Sequence, residues 1–560
     1  MNHRVVRRGV SVCVLAVLFG SGAAGAAVTV NVDTSADVRA FSPLIFGVNY
    51  GDDARNAQIG YPLRRWGGNS TTRYNWQVDV HSTASDWYYE NIPGASDRSQ
   101  VPPVGNYADS FIDTARDYGA DVLMTIPTIG WTPRADSPQN HPYFAGFSVT
   151  KYGAQQSTDP WDPDAGNGVR QSNGQPITGN DPSDTSSAVT PAFWQGWINH
   201  LKAAFGAANS GGVRFYSLDN EVMLWNSTHR DVHPDPTTYD ETLAKALAYG
   251  AAIKQADPTA QVTGPVTWGY CDLFGSAADD CLDGSDRAAH GGMPFVAWYL
   301  QQICANPIAG GARAVDYLDL HYYPQGDNVS MSDDDSAATA QRRLRALKEL
   351  HDPTWVSESW LSDLGDFDSN HYSKPNLIPR ARAWINQYCP GTKLAITEYR
   401  WGNDGTASGA VAQAELFGIF AREGVDMATR WVAPEADTRV ERAFTLFLNY
   451  NGSGAKVSGS SVRATSGNAD QVGSYAFVGS GRTMLLLTNK MTSTQSVTVN
   501  FASSPGAQWN LYGFDANQGV HAISNGTLAG NTLTFNALPA MSANLLVIAG
   551  NDVIFANGFD

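Results

Sequence analysis

The sequence predicts an α/β protein: a (β/α)8 barrel of the TIM type, then a C-terminal antiparallel β-sandwich that also takes the N-terminal strand. Three observations predict it. Eight short apolar or β-branched runs alternate with helix-like stretches between about residues 41 and 434, the pattern of a parallel barrel. Beyond Pro434 helical periodicity gives way to short alternating runs separated by Asn, Gly and Ser, the pattern of a sandwich. Residues 28–32 (VTVNV) alternate in the same way, which assigns them to that second sheet.

In chain order, residues 1–27 read as a secretory signal: Arg4, Arg7 and Arg8, an apolar run from Val10 to Phe19, and the small residues Ala24-Gly25-Ala26. The run is too short to cross a bilayer, so a soluble, secreted protein is expected. Residues 28–40 carry the sandwich's N-terminal strand, 41–434 the barrel, 435–549 the rest of the sandwich, and 550–560 a tail set off by Gly550. The expected barrel strands are 44–49 (LIFGVN), 63–66 (LRRW), 121–126 (DVLMTI), 214–218 (RFYSL), 262–266 (VTGPV), 317–321 (YLDLH), 394–397 (LAIT) and 427–432 (MATRWV). Helices are expected over 107–118, 191–205, 239–256, 294–305, 336–351 and 410–423. Ser332, with Asp333, Asp334 and Asp335 behind it, reads as an N-cap with an acidic first turn. Residues 128–187, rich in Gly, Pro, Asn and Asp, read as a large loop insertion. Sandwich strands are expected at 482–487, 496–501, 509–512, 532–535 and 544–548.

Composition narrows the function. Charged residues make up only 16% of the 560, and the formal charge is -17. An acidic chain has no basic face for nucleic acid or for an anionic membrane surface, so neither is an expected partner. A neutral polar surface with 16 Trp and 23 Tyr suits sugars, and a monomer acting on a polysaccharide is expected. Apart from Cys13 in the signal, the four cysteines Cys271, Cys281, Cys304 and Cys389 form an even set for an oxidising compartment. Cys271 and Cys281, bracketing an Asp/Gly-rich loop, are the expected pair. No CxxC or Cys/His cluster suggests zinc. No cofactor is required and no metal is assigned, although the acids Asp159, Asp162 and Asp164 leave a structural calcium open, with a spacing that matches no calcium loop.

Barrel enzymes place their chemistry at the carboxyl ends of the strands. The second expected strand ends in Arg65-Trp66-Gly67-Gly68-Asn69, the fourth in Asp219-Asn220-Glu221, the sixth in His321-Tyr322-Tyr323 and the seventh in Glu398-Tyr399, while the eighth carries Trp431. Two carboxylates thus face one cavity from opposite sides. Glycosidic hydrolysis needs that pair: an acid for the leaving oxygen, and a carboxylate for the oxocarbenium-like carbon. His321 is expected to orient them as a hydrogen-bond donor. Arg65, Trp66, Asn69, Trp131, Asn220, His321, Tyr323, Trp360, Trp401 and Trp431 are the expected substrate-binding residues, with Trp225 in a nearby loop. Glu358 and Glu90 are rival acids.

The segments 64–76 (RRWGGNSTTRYNW), 85–91 (SDWYYEN), 216–221 (YSLDNE) and 397–399 (TEY) resemble glycoside hydrolase family 44, and the likeness spans the mature chain. The resemblance implies a retaining endo-β-1,4-glucanase acting on cellulose-type glucans, xyloglucan or both. It implies that Glu221 is the general acid/base, that Glu398 is the nucleophile, and that Asn220 contacts the sugar 2-hydroxyl. Such a mechanism needs carboxyl groups about 5–5.5 Å apart, whereas about 9 Å would imply inversion. Two residues depart from the family pattern: Val222 stands where Pro is usual, and Arg400 where a neutral polar residue is commoner. Arg400 is expected to lower the Glu398 pKa or to reshape the substrate rim. Xylan or mannan hydrolysis, or glycan binding without turnover, remain the alternatives at this stage.

Overall fold

The computed structural model describes residues 27–95, 97–134, 137–279, 281–365 and 370–550. The expected signal up to residue 26 and the tail from 551 lie outside the described residues.

Eight parallel strands close into a barrel in chain order: Gly47–Asn49, Leu63–Trp66, Asp121–Ile126, Phe215–Leu218, Gln261–Thr267, Tyr317–Tyr322, Lys393–Tyr399 and Met427–Arg430. Each coincides with an expected run. The first is shorter than expected because Pro43–Phe46 coils into a 3-10 turn, with Ser42 capping the amide of Leu44. The floor of the barrel is sealed by Leu44, Leu63, Leu123, Phe215, Tyr317, Ala395 and Met427. Above this plug the interior becomes polar, lined by buried Asn49, Arg65, Thr125, Asp319 and Thr397. An apolar floor under a polar mouth puts the polar groups of the barrel interior toward the carboxyl ends of the strands, where barrel enzymes place their chemistry.

A single hydrogen-bonded sheet folds over to make the sandwich, in the order His521–Thr527, Gln508–Phe514, Ser542–Ala549, Arg482–Asn489, Val472–Gly479, Ser460–Ser466, Val28–Asp33, Gln495–Phe501 and Thr532–Leu538. The N-terminal strand joins it as expected. It runs antiparallel to Ser460–Ser466 but parallel to Gln495–Phe501, so the sheet is mixed rather than purely antiparallel. Sequence patterning passed over three strands. Ser460–Ser466 and Val472–Gly479 are diluted by Ser and Gly, and His521–Thr527 is an exposed edge with no apolar alternation.

The segment after 434 opens with a helix, Arg439–Leu448, where loss of helical periodicity was expected. Its apolar stripe of Val440, Phe444 and Phe447 is too short to stand out from the strands that follow. It packs beside Ala407–Glu423, a helix buried along all but its ends that stops at left-handed Gly424. Both helices meet the sandwich through alternate side chains: Tyr475 and Phe477, Met484 and Leu486, Leu545 and Val547 face the barrel. Their neighbours Ala476, Leu485, Leu487, Leu546 and Ile548 face the inner core of the sandwich. A strand buried on both faces reads as a continuous apolar run, as 482–487 does.

The helix expected over 336–351 is α-helical only over Ala337–Arg345 and continues as a 3-10 turn. Its cap is Ser336, not Ser332, whose hydroxyl instead accepts from the amide of Asp334. Cys271 pairs with Cys281 as expected, and Cys304 pairs with Cys389, tying the ends of helices Phe295–Ala305 and Leu377–Tyr388. Among the described residues no helix is long and apolar enough to cross a membrane.

One ion pair is sealed between the two domains. Glu415, on helix Ala407–Glu423, accepts from Lys490 Nζ at 2.9 Å and from the hydroxyl of Thr488, and both charged side chains are nearly inaccessible. Removing only the cation leaves an uncompensated buried carboxylate, so Lys490→Met should destabilise the fold by about 3–5 kcal/mol. The double variant Lys490→Met/Glu415→Leu should recover most of that loss. Chemical denaturation of the three proteins checks both.

Candidate active site

Glu221 sits on a sharp turn at the end of strand Phe215–Leu218. Asp219 and Glu221 both have left-handed backbone, with φ of 70° and 47°, which costs about 1–3 kcal/mol per residue unless the surroundings hold it. Here Asp219 does so. Its buried carboxylate accepts from the Thr72 hydroxyl at 2.6 Å, from the amides of Asn220 and Ile129 at 2.8 and 3.2 Å, and from the amide of Thr128. The turn thereby aims Asn220 and Glu221 inward.

Glu398 is brought beside it by register. Strands Tyr317–Tyr322 and Lys393–Tyr399 pair with an irregularity at Leu320/His321 that sets His321 opposite Glu398. His321 Nδ1 lies 2.9 Å from Glu221 Oε1 and 3.7 Å from Glu398 Oε2. One oxygen of each carboxylate and a ring nitrogen of His321 all lie within 4.8 Å of one another. Glu398 accepts from Arg65 Nη1 at 2.7 Å and from Tyr323 Oη at 2.8 Å. The same Arg65 donates to Asn49 Oδ1 at 3.0 Å and to Asn220 Oδ1 at 2.8 Å, and Asn220 Oδ1 also takes the amide of Gly68 at 3.1 Å.

The hydrogen-bond chain places the protons. Thr397 Oγ1 donates to Asp319 Oδ1 at 2.7 Å, so it is free to accept from His321 Nε2 at 3.2 Å. Burial and the Arg65 charge push His321 well below the usual imidazole range, which keeps the ring neutral. A neutral ring protonated at Nε2 presents a bare Nδ1, and the hydrogen in the His321–Glu221 contact therefore belongs to the carboxyl. Toward Glu221, then, His321 is an acceptor and not the donor expected from the sequence. Burial, followed by the Glu398 charge, pushes Glu221 well above the usual carboxyl range. Glu398 is also raised by burial, but Arg65 and Tyr323 work against that rise. Of the two, Glu221 is thus the better placed to keep a proton and Glu398 to carry the charge.

A cavity of about 580 Å³ lies beside this cluster, walled by Tyr50, Gly68, Asn69, Asp86, Tyr107 and Trp431, and it adjoins the cluster through Gly68 and Asn69, which bond Asn220. Gly68 has φ 85°, and an added Cβ would stand 2.6 Å from the Trp431 ring, so only glycine lets the indole cover this wall.

A profile of glycoside hydrolase family 44 matches residues 80–326. The crystal structure of CelM2, a bifunctional glucanase-xylanase protein from a metagenome library, superposes with a TM-score of 0.87 at 39% identity, covering 94% of this chain and 99% of that one. The chain belongs to glycoside hydrolase family 44. The Beta-mannanase/endoglucanase A of Caldicellulosiruptor saccharolyticus is 28% identical over 88% of the chain, and the Endoglucanase A of Paenibacillus lautus 29% identical over 81%. The chain spans 36% and 62% of the lengths of these two curated relatives.

Within this family 44 fold the expected site residues sort by exposure. Arg65, Asn220 and His321 are buried and hold the carboxylates; Tyr323 is half-buried and touches Glu398. Asn69, half-buried, accepts from Asn220 Nδ2 at 3.3 Å and donates to Asp86. Trp431 and Trp131 are half-buried, and Trp360 is 44% exposed with Nε1 on Gln325. Two expected platforms are core residues instead. Trp401 is sealed between Tyr322 and Tyr399, and Trp66 stands edge-on to Tyr74 and Trp197 with only an edge on the cavity wall. Trp225 is buried as well. Arg400 turns from Glu398 toward Asp404 and the carbonyl of Trp431, and Arg65 takes the contact with Glu398 instead. Glu358 is exposed and paired with Arg345. Glu90 is buried outside the cluster, among Asp159 and Asp162, which together with burial push it up to about 8.

Sequence reasoning missed Asn49, Thr397, Asp319 and Tyr50. All four lie inside or at the mouth of the barrel, where a polar residue on an apolar strand was the available signal.

Arg65 supplies the main force holding Glu398 ionised. Arg65→Met should move the acidic limb of the kcat/KM profile to higher pH by about 1–3 units, because a lost cation raises the carboxyl pKa. Arg65→Lys should return part of the shift. The profiles of the three proteins on one soluble substrate check this.

Proposed function

We propose that this protein is a secreted, retaining endo-β-1,4-glucanase acting on cellulose-type glucans and xyloglucan. The observation that carries the reading is the pair of carboxylates within 4.8 Å of each other, one kept protonated and the other held by Arg65 and Tyr323. Glu398 attacks the anomeric carbon as the glycosidic C–O bond breaks, and the Glu221 proton passes to the leaving oxygen. Glu221 then takes a proton from water, whose oxygen displaces Glu398 from the same carbon and restores the free carboxylate. Oxygens this close support retention over the wider gap that holds the water of an inverting enzyme. Asn220, fixed by Arg65 and Gly68, is positioned for the 2-hydroxyl of the sugar undergoing cleavage. Two disulfides suit an extracellular address.

Xylan is the second reading, favoured by the 39% identity to the bifunctional CelM2. Reducing-end release from carboxymethyl cellulose, xyloglucan, mixed-linkage glucan, xylan and mannan separates the two. Glu398→Gln and Glu221→Gln should each lose at least about 10³-fold in kcat on polysaccharide. With an activated aryl glycoside as donor, exogenous azide should give the α-glycosyl azide where the nucleophile is missing and the β-glycosyl azide where the acid/base is missing. Release from β-1,4-glucans that persists in Glu398→Gln would refute the assignment.

A further inference from the structure

A second cavity, of about 250 Å³, lies where helix Arg439–Leu448 ends against the edge of the sandwich. It is walled by Asn449, Tyr450, Asn451, Tyr512, His521 and Ala522. The helix follows the eighth barrel strand and spans about 15 Å over its 10 residues, and the cavity is at its far end. It shares no wall residue with the cavity beside the catalytic pair.

The lining is polar, uncharged and largely unspent. Tyr450 and Tyr512 are only 2% and 4% exposed, with ring centroids 5.1 Å apart. Neither hydroxyl has a hydrogen-bond partner among the described residues, although a buried phenol usually finds one. Burial pushes both above the usual phenol range, so each keeps its hydrogen and can donate as well as accept. Asn449 spends Oδ1 on the amide of Gly454 at 2.6 Å, and Asn451 spends Oδ1 on the amides of Ser453 and Ala455 at 2.9 and 3.1 Å. Those bonds fix the loop and leave both Nδ2 groups without an acceptor among the described residues. His521 Nδ1 lies 2.8 Å from the carbonyl of Gly519, so in the neutral ring Nδ1 holds the hydrogen and Nε2 accepts. Among the described residues no Lys, Arg, Asp or Glu lines the cavity, which gives an ion no countercharge.

The backbone around the cavity is shaped to the same end. Strand Gln508–Phe514 pairs with the edge His521–Thr527, and the register slips between Leu511 and Tyr512, setting Tyr512 opposite Ala522. Slips of this kind re-aim a side chain. Across from it, the amide of Tyr450 donates to the carbonyl of Ala455 at 3.1 Å and closes the loop. His521 and Ala522 are exposed, so the cavity opens along this edge.

We propose that this cavity is a second glycan-binding site, which holds one sugar ring of a neutral polysaccharide away from the catalytic pair. Amide donors from Asn449 and Asn451, an acceptor on His521 and two phenols that do both suit a ring whose hydroxyls each give and take a hydrogen. Val520 and Ala522 offer apolar surface to its C–H groups. The volume is below the roughly 300–1,000 Å³ of pockets for drug-sized ligands, a size for one ring and not for several. A chain held here stays at high local concentration near the cleft between cleavages. The ligand class follows from this lining and not from the catalytic reading.

Calorimetric titration of the full chain carrying Glu398→Gln tests the proposal without turnover. The probes are cellotetraose, xylotetraose, mannotetraose and a xyloglucan heptasaccharide. At least one should fill a second site per chain in addition to the cleft. Adding Tyr450→Phe and Tyr512→Phe together removes two hydroxyls and little volume, and should weaken that second site by more than about tenfold while the cleft site keeps its affinity. His521→Ala, on the exposed edge, should weaken it as well, and serves if the double variant does not fold. The proposal is overturned if none of the four probes fills a second site. It is also overturned if a second site keeps its affinity in the folded variants.

Discussion

The guanidinium of Arg65 is the constraint on which the catalytic end of the barrel depends. It is wholly buried, rising from the second strand into a polar chamber above the apolar floor, and it bonds Asn49, Asn220 and Glu398 at once. A buried cation is costly unless paired and fully bonded, so three strands must present their acceptors in one place. That requirement aligns the first, fourth and seventh strands at their carboxyl ends. The same contact stabilises the charge on Glu398, and that charge in turn keeps the proton on Glu221. Architecture and proton distribution therefore follow from one side chain.

The second layer of control is the chain Asp319–Thr397–His321–Glu221. Each link has its direction set by the one before it, because a hydroxyl has only one hydrogen to give. The chain ends by presenting a bare ring nitrogen to Glu221, which under the proposed mechanism holds the proton until a glycosidic oxygen competes for it. Preorganised polar groups of this kind are the main source of catalytic stabilisation in dry pockets.

Much of this was legible in the residues. The eight barrel strands are apolar runs at regular intervals, and reading the residue after each one finds Glu221, Glu398, His321 and Tyr323 without further help. Exposure was not legible. Trp66 ends its strand and Trp401 follows one, but a Trp there can turn outward into the helix layer or inward to the cleft, and that depends on packing partners distant in sequence. Of the two expectations for Arg400, a lowered Glu398 pKa or a reshaped rim, the contacts with Asp404 and the Trp431 carbonyl fit the second, and barrel closure brings Arg65, expected among the substrate-binding residues, to Glu398 across 333 positions. The helix Arg439–Leu448 was hidden because its burial comes from the sandwich beyond it as much as from the barrel before it.

The account's central claim is that Glu398 carries the sugar between two displacements while Glu221 handles the proton. Incubation with an activated 2-deoxy-2-fluoro-cellobioside, followed by proteolysis and mass spectrometry, tests it most directly. The account predicts one fluorosugar per chain, attached to the peptide containing Thr397-Glu398-Tyr399, with activity lost in step with labelling. Labelling on the peptide containing Asp219-Asn220-Glu221, or turnover of the reagent with inversion and no adduct, would contradict it.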